Sequence, residues 1–321
     1  MDRRAFIATV SLSSVVAWLK TDAKAAPQAR VAWLMPAAVP SDLEYFRRGL
    51  RDLGWTEGER LIIEQRYADG KPERLPQLAA DLARLKVDVF VTAGSQATDA
   101  ARGVPQSVPV VFVSTDPAGK GWIKSLSHPG GKLTGVSMQN DELHLKMLEV
   151  LHEAFPRIRR VGIFHAPTPW QLRFLREMQP AAQALSVQLV PLPVNSPDDI
   201  DRSSAVVAKE RVGGLLTMSN PSFNAERRRF IDLAARLRLP AVYEHRDFVQ
   251  AGGLLSYGPD LSEVFRRAAA LVDKILKGVK PEDLPVEQPT KFELAINLKT
   301  ARTVGLTIPQ SLLVRADEII Q

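Results

Sequence analysis

The 321-residue sequence contains no cysteine, which excludes disulfide bonds, thiolate metal sites and cysteine nucleophiles. Beyond its N-terminal segment it has no apolar run approaching the roughly 20 residues that a transmembrane helix requires. It lacks the glycine-rich phosphate loops and the Gly-x-Ser-x-Gly turn of hydrolases. Its five histidines are not spaced as zinc ligands are. We therefore expect no catalytic residue, no metal and no cofactor.

The composition that remains is that of a globular protein, with 45% hydrophobic and 24% charged residues in a chain long enough for two domains. The net charge of +6 would suit a nucleic-acid partner. However, the densest basic cluster, at 227–229, lies beside Glu226 and Asp232. Mixed charge of this kind is typical of a solvated helix face, and no nucleic-acid-binding module is recognisable. We expect no nucleic-acid partner.

The N-terminus has the order of a secretory signal peptide. Arg3 and Arg4 precede a short apolar run at 8–19, and Ala23-Lys24-Ala25 then offers a small-residue cleavage site. The paired arginines resemble a twin-arginine export signal, although a general secretory signal or a loose N-terminal helix would also fit. No cysteine follows for lipid attachment. Residues 1–25 are therefore predicted to be an export signal, and the mature protein is predicted to be free in a periplasm.

The most informative stretch is 87–99, where a short β-branched and aromatic run predicts a buried parallel strand. Gly94 breaks the strand, and a small-residue helix follows the polar turn that begins at Ser95. The N-terminus of a helix leaves backbone N–H groups without partners, and these attract carboxylate or phosphate oxygens. In an open α/β sheet this turn lies at the carboxyl ends of the strands, where ligands bind.

The same pattern recurs in the second half, which predicts an internal duplication. Thr92 and Thr217 occupy equivalent places, as do the turns that follow them. Three pairs of segments share one order and a nearly constant offset: 30–34 with 160–164, 87–95 with 212–220, and 108–112 with 239–243. A period this long indicates two similar α/β lobes rather than a solenoid. Two lobes with facing strand-end turns would form a cleft.

Strands and helices alternate along the rest of the chain, which predicts parallel sheets with right-handed crossovers. Ser41 and Asp42 offer N-caps for a helix that runs to Leu53. In the second half, single helices are predicted over about 169–185 and 222–236. About sixty residues remain after the second lobe, so the chain is expected to return to the first.

Several longer phrases resemble the ABC-transporter substrate-binding proteins related to the tryptophan/tyrosine-type binding proteins. The phrases are AADL at 79–82, VTAGS at 91–95, SLSHPGGKLTG at 125–135, YEHRDFV at 243–249, AGGLLSYG at 251–258, QPTKFEL at 288–294, NLKTA at 297–301 and RADE at 315–318. The resemblance covers essentially the whole mature chain, and its C-terminal phrases are the most specific.

This resemblance implies a type I periplasmic binding fold, in which two Rossmann-like lobes with parallel sheets are joined by a multi-strand hinge. Residues 26–137 with about 258–286 would form the first lobe, and 138–257 with about 287–321 the second. The partners would be a small-molecule ligand, a membrane permease and an ATPase subunit. The implied function is the periplasmic solute-binding component of an ABC importer, which closes on a small polar or amino-acid-like ligand.

A free amino acid presents a carboxylate and an ammonium group, so a pocket for it needs donors and acceptors. Ser95, Gln96 and Thr98 are the candidate carboxylate site, with a plain helix cap as the alternative. Asp116 is the candidate ammonium acceptor, although Asp116-Pro117 could simply form a turn. Glu244 holds the equivalent place in the second lobe and could instead pair with Arg246.

Three further candidates complete the predicted ligand-binding set. Asn220 could contact the ligand or cap the following helix, and Asn140 could do either. Tyr257 is preferred to Phe223 and Trp170 as an apolar wall. Two other functions stay open at this point: a ligand-sensing module of a signalling system, which would need a further domain, and a Rossmann-like enzyme, for which no catalytic group is found.

Overall fold

The computed structural model describes residues 28–104, 108–138 and 140–321. The predicted export signal at 1–25 lies outside the described residues. Strands and helices largely alternate from residue 29 onwards, as expected, although the strands Val110–Thr115 and Leu133–Met138 follow one another with no helix between them. None of the helices in the described ranges is both long and apolar enough to span a membrane.

The first sheet has five parallel strands in the order β2-β1-β3-β4-β5. Its strands are β1 (Ala29–Met35), β2 (Leu61–Tyr67), β3 (Val89–Ala93), β4 (Val110–Thr115) and β5 (Leu133–Met138).

The second sheet has seven strands in the order β12-β11-β10-β9-β8-β6-β7. Its strands are β6 (Arg160–His165), β7 (Gln188–Pro193), β8 (Gly214–Thr217), β9 (Ala241–Tyr243), β10 (Leu255–Pro259), β11 (Phe292–Asn297) and β12 (Glu318–Ile320). From β7 to β10 the order repeats that of the first sheet, as the duplication predicts. One pairing departs from the parallel expectation, because β11 runs antiparallel to β10.

The helices are α1 (Pro40–Asp52), α2 (Leu75–Arg84), α3 (Ser95–Arg102), α4 (Asn140–Ala154), α5 (Pro169–Glu177), α6 (Gln179–Ala184), α7 (Pro197–Lys209), α8 (Pro221–Ala225), α9 (Arg227–Leu237), α10 (Arg246–Gln250), α11 (Leu261–Leu276), α12 (Leu298–Val304) and α13 (Gln310–Arg315). The predictions of single helices over 169–185 and 222–236 are wrong, because the chain breaks at Met178 and at Glu226. Pro180 explains the first break, since proline supplies no N–H for the helical ladder.

Both faces of the first sheet are covered by helices. On one face Trp33 packs against Phe46 of α1 and Phe265 of α11, with ring centroids 5.1 and 5.6 Å apart. On the other face Phe90 and Phe112 form a core with α2 and α3. Helix α11 follows β10 in sequence, so the chain does return to the first sheet. We call this sheet with α1, α2, α3 and α11 the first lobe.

The second sheet is likewise buried on both faces, which explains why its central strands read as continuous apolar runs. One core contains Met147 and Phe174 from α4 and α5, and the other contains Phe164 and Phe230, whose rings meet edge to face at 5.0 Å. We call this sheet with its helices the second lobe.

The chain passes between the lobes three times, after β5, after β10 and before β11. The third crossing pairs with the first: Glu287 forms a parallel bridge with Val136, and its N–H donates to the Gly135 carbonyl oxygen at 2.9 Å. The third crossing also explains the antiparallel β11. Because β10 leaves the second lobe where the chain later re-enters it, β11 runs back along β10. The predicted lobe boundaries, at about 137, 257 and 286, stay a prediction.

Candidate ligand-binding cleft

A cavity of about 710 Å³ lies between the carboxyl ends of the strands of the two sheets. The turn between β3 and α3 lines it from the first lobe, and the turn between β8 and α8 lines it from the second. These rims are in contact, because a Cβ atom placed on Gly94 would lie 3.1 Å from Cγ of Pro221. The volume is in the range of small-molecule sites.

Two polar contacts also join the lobes around this cavity. Ser41 Oγ, at the start of α1, donates a hydrogen bond to Asp247 Oδ2 of α10 at 2.8 Å. Arg173 of α5 lies 3.5 Å from Asp116 Oδ2, which follows β4. The lobes are therefore closed on each other in this conformation.

The first-lobe rim presents unoccupied donors. Helix α3 begins immediately after Gly94, whose φ of 80° and ψ of 160° suit glycine, and no side chain of the described residues caps it. Ser95 and Gln96 line the cavity, and their side chains make no hydrogen bond within the described residues. The first N–H groups of a helix have no intrahelical partner. This rim can therefore hold an anionic group such as a carboxylate.

The second-lobe rim is occupied by its own contacts. The Ser219 N–H donates to His144 Nε2 at 2.9 Å, its hydroxyl donates to Glu244 Oε1 at 2.7 Å, and its carbonyl accepts from Gln171 Nε2 at 2.8 Å. Asn220 Oδ1 accepts from the Ser222 N–H at 2.8 Å and so caps α8. This rim forms a fixed wall.

Several polar atoms around the cavity are buried without a hydrogen-bond partner in the described residues: Asp42 Oδ1, Ser114 Oγ, Trp170 Nε1, Asn224 Oδ1 and His245 Nδ1. Leaving such a group unsatisfied costs about 1–3 kcal/mol. All five residues line the cavity, and they come from both lobes. A polar ligand or ordered water in the cavity would provide the missing partners.

Ser95, Gln96, Asp116 and Asn220, half of the predicted ligand-binding residues, line this cavity. Asp116 has a φ of 45°, and its Oδ1 accepts from the Gly119 N–H at 2.9 Å, so it also shapes its own turn. Asn140 begins α4, but its side chain lies outside the described part of the structure.

Three predicted residues do not line the cavity. The Thr98 hydroxyl is buried, 2.9 Å from Thr92 Oγ1 and 2.9 Å from the Gly94 carbonyl oxygen, where it supports the turn. Glu244 is buried behind Ser219. The Tyr257 ring stacks on Phe292 with centroids 6.1 Å apart, within a core of the second lobe.

The lining residues that the sequence analysis did not predict to bind ligand include Asp42, Ser114, Asn224, His245 and Phe265. Ser41 and Asp42 were expected to be candidate N-caps, and that expectation is wrong for both residues. Helix α1 begins at Pro40, with Val39 at its N-cap, so Asp42 lies in the first turn instead. The preference of proline for the first helical position was the available signal. Trp170 lines the cavity, whereas Phe223 is a core residue.

Burial raises the pKa of the Asp42 carboxyl well above its usual value, and the nearby Asp247 raises it further, while Arg227 partly opposes both effects. Burial also lowers the pKa of His165, at the end of β6. The described ranges contain no cluster of His, Asp and Glu side chains suited to a metal ion.

Solved structures and a curated relative resemble this chain. A conserved domain protein from Vibrio cholerae O1 biovar El Tor has a TM-score of 0.83 and 24% identity, over 91% of this chain and 99% of that chain. An ABC domain from Streptococcus pneumonia in complex with L-Trp has a TM-score of 0.81 and 22% identity, over 91% and 100%. A tyrosine-binding protein of Clostridioides difficile (strain R20291) is 22% identical over 270 residues, 81% of this chain and 75% of that protein.

The structural likenesses confirm the predicted periplasmic binding fold. The family model described as ABC transporter substrate binding protein matches residues 38–320, which is most of the sequence. The chain therefore belongs to the ABC transporter substrate-binding protein family.

Proposed function

We propose that this protein is the periplasmic solute-binding component of an ABC importer and that its two lobes close on an amino-acid-like ligand. The observation that carries this proposal is the cavity between the rims, which combines the end of α3 with buried polar atoms from both lobes, and within the described residues neither has a side-chain partner. A ligand with both anionic and cationic groups can form hydrogen bonds with more of these donors and acceptors than a neutral or purely apolar molecule can.

The ligand's carboxylate binds at the first-lobe rim, where the Ser95 and Gln96 N–H groups and the Ser95 hydroxyl donate to it. The helix end adds about 0.3–1 kcal/mol, and more where the site is partly buried. Trp170 and Phe265 supply aromatic surface for the ligand's side chain. An aromatic amino acid is consistent with this surface, and relatives include a tyrosine-binding protein and a domain in complex with L-Trp.

Closure is a shift between an open and a closed population, and the ligand favours the closed form because it contacts both rims. A membrane permease with an ATPase subunit then receives the closed protein. The predicted export signal at 1–25 would deliver the chain to the periplasm. No chemical bond is made or broken in this scheme.

The experiment is a thermal-shift screen of the purified protein against amino acids, small carboxylates and sugars, followed by calorimetry on each compound that stabilises it. We expect an aromatic amino acid to stabilise the wild type and Ser95→Ala to weaken its binding about three- to tenfold. Ser204→Ala is the matched control, because that hydroxyl donates to the Asp201 carbonyl oxygen on α7 and does not line the cavity.

Stabilisation only by sugars would contradict the amino-acid ligand while leaving solute binding intact. Turnover of the stabilising compound would favour a Rossmann-like enzyme. Unchanged binding in Ser95→Ala would place the carboxylate elsewhere.

A further inference from the structure

Asp42 is a buried acid at the cavity, and no group in the described part of the chain donates a hydrogen bond to its oxygens. It lies in the first turn of α1, lines the cavity, and is 8% exposed. Its Oδ1 has no hydrogen-bond partner, and its Oδ2 accepts none within the described residues. A buried carboxylate without compensation is strongly unfavourable, so this group requires either a cation or a proton.

The charges around Asp42 do not balance. Asp247 and Arg227 both act on Asp42, so two carboxylates share one guanidinium. Asp247 already accepts from Ser41, and Arg227 donates to the Asn224 carbonyl oxygen at 2.8 Å. The neighbouring Arg246 is paired with Asp260 and Glu293, at 3.3 and 3.2 Å, and Lys291 also pairs with Glu293 at 2.6 Å, so these two acids have two cations of their own. One negative charge at this end of the cavity is left without a counter-charge from the described residues.

The other acids near the cavity differ from Asp42 because each already has partners. Asp99 accepts from Trp122 Nε1 at 2.8 Å. Asp116 accepts from the Gly119 N–H and lies near Arg173. Glu244 accepts from the Ser219 hydroxyl and does not line the cavity. The best acceptor for a ligand cation is therefore Asp42 rather than the two acids that the sequence favoured.

We propose that Asp42 binds the cationic group of the ligand, a primary ammonium, and that this contact makes closure conditional on a cationic ligand. The assignment rests on the proposed function and adds its specificity-determining residue. Asn224 of the second lobe also lines the cavity, its Oδ1 has no hydrogen-bond partner among the described residues, and its carbonyl oxygen accepts from Arg227. An ammonium with several N–H donors binds to Asp42 on the first lobe and Asn224 on the second, and so holds the lobes together.

The same assignment predicts how the ligand-free protein responds to pH. In the open form water solvates Asp42, but closure buries the carboxylate and raises its pKa. Without a ligand, closure is therefore accompanied by proton uptake, and it becomes easier as pH falls from 7 towards 5. Asp247 and Arg227 act on the same carboxyl, Tyr67 lies within its electrostatic reach, and His245 also lines the cavity. Only the difference in the pH dependence of closure between wild type and Asp42→Asn therefore reports on Asp42 alone.

The test compares wild type with Asp42→Asn, which keeps the shape of the side chain and removes its charge. The probes are L-tryptophan and L-tyrosine, the amines tryptamine and tyramine, and the amine-free acids indole-3-propionate and 3-(4-hydroxyphenyl)propionate. We expect Asp42→Asn to weaken binding of the amino acids about 10- to 150-fold, as expected for loss of a charged hydrogen bond. The amine-free acids should bind both proteins weakly and alike. Asp116→Asn and Glu244→Gln should lose several-fold less affinity for the amino acids.

A second measurement does not depend on the choice of ligand. Small-angle scattering of the ligand-free proteins should show the wild type becoming more compact between pH 7 and pH 5. Asp42→Asn should already be compact at pH 7 and should change less. Thermal unfolding without ligand shows whether the variant is folded, and we expect it to be at least as stable as wild type because a buried charge has been removed.

Failure of the Asp42 assignment can be distinguished from failure of the proposed function. If the amino acids bind Asp42→Asn as tightly as wild type, Asp42 does not bind the cation and the proposed function stands. If wild type binds the amine-free acids as tightly as the amino acids, no ammonium site exists. If no amine or amino acid binds wild type, both the proposed ligand class and the role of Asp42 are wrong.

Discussion

The two lobes share one architecture but present different chemistry to the cleft. Asp88 in the first lobe and Gly213 in the second each donate a backbone hydrogen bond of 2.8 Å to the start of the neighbouring strand, at Arg30 and Arg160. The two rims, however, differ. Gly94 leaves α3 uncapped, whereas Asn220 caps α8. The duplicated scaffold fixes where the rims lie, and the residues on each rim decide what they bind.

This difference indicates a division of roles. The first lobe supplies free donors and the uncompensated Asp42, while Ser219 of the second lobe is held by His144, Gln171 and Glu244. At the rims themselves, a ligand would meet free donors on the first-lobe side and a preorganised wall on the second-lobe side. Ligand binding is then expected to depend more on substitutions at the first-lobe rim than on substitutions at the second-lobe rim.

The largest expected effect is that of Gly94→Ala, which gives the first-lobe rim the Cβ that its counterpart Ser219 already has. Any other residue at this φ and ψ costs about 1–3 kcal/mol of folding free energy. The new Cβ would also press on Pro221 across the cleft, so ligand affinity should fall at least about tenfold, equivalent to 1.4 kcal/mol. Urea unfolding and calorimetry measure the two effects.

Gly103→Ala is the matched control, because Gly103 ends the same helix with a φ of −73° and a Cβ there meets only ordinary contacts. It should leave affinity unchanged. Equal affinity in Gly94→Ala and wild type would mean that the rims need not meet for ligand binding.

A smaller effect is expected from the second-lobe rim. Asn220→Ala removes the cap of α8 and should lower the free energy of unfolding by about 1 kcal/mol. Asn220→Asp retains a capping oxygen but loses the amide donor. If Asn220 also contacts the ligand, Asn220→Asp should weaken binding without loss of stability. If both variants have the same free energy of unfolding as wild type, the Asn220 cap does not stabilise this rim. The difference drawn between the two rims would then be wrong.

The ends of the first strands of the lobes differ as well, since β1 ends at Met35 and β6 at His165. His165 is buried, its Nδ1 lies 3.0 Å from the Ala166 carbonyl oxygen, and its pKa is lowered. As pH falls below the unfolded pKa of about 6.5, the unfolded chain takes up a proton that the native protein does not. The stability contributed by the neutral imidazole is therefore present at pH 7.5 and declines towards acid.

His165→Met gives the second lobe the residue of the first and should reduce this decline. The measurement is the difference in free energy of unfolding between wild type and variant from pH 7.5 to pH 5.5. Asp42 contributes with the opposite sign, but it is common to both proteins and cancels. A difference that does not vary with pH would mean that His165 is protonated as readily in the native protein as in the unfolded chain.

Much of the scaffold follows from local sequence pattern, whereas the unpaired acid of the site does not. Apolar runs and turn residues predict the strands, and the repeated phrase around Thr92 and Thr217 predicts the shared strand order. Asp42 could not be recognised as unpaired, because its state depends on Asp247 and Arg227, about two hundred residues away in the sequence. Tyr257 was preferred to Trp170 as a wall because it ends a strand beside a crossing between the lobes, and the sequence could not show that its ring stacks on Phe292 of β11.

The smallest expected effect concerns the ion pair between Arg173 and Asp116, which joins the lobes at 3.5 Å. Both side chains are partly exposed, at 48% and 33%, and such pairs contribute about 0.2–1 kcal/mol. Because the pair spans the cleft, it belongs to the closed form only. Arg173→Gln should therefore weaken ligand binding by up to about fivefold in low salt and have little effect on unfolding of the ligand-free protein.

The pair between Arg236 and Asp201, at 2.9 Å, is similarly exposed but lies wholly within the second lobe. Arg236→Gln should therefore leave ligand affinity unchanged at every salt concentration. Arg173 also lies 3.4 Å from Glu177 on its own helix, so a double-mutant cycle with Asp116→Asn is needed to isolate the pair that crosses the cleft. The coupling free energy between Arg173 and Asp116 should vanish near 1 M salt, where the screening length is about 3 Å. A coupling that persists in high salt would show that the pair acts through the Asp116 turn rather than by direct attraction between the lobes.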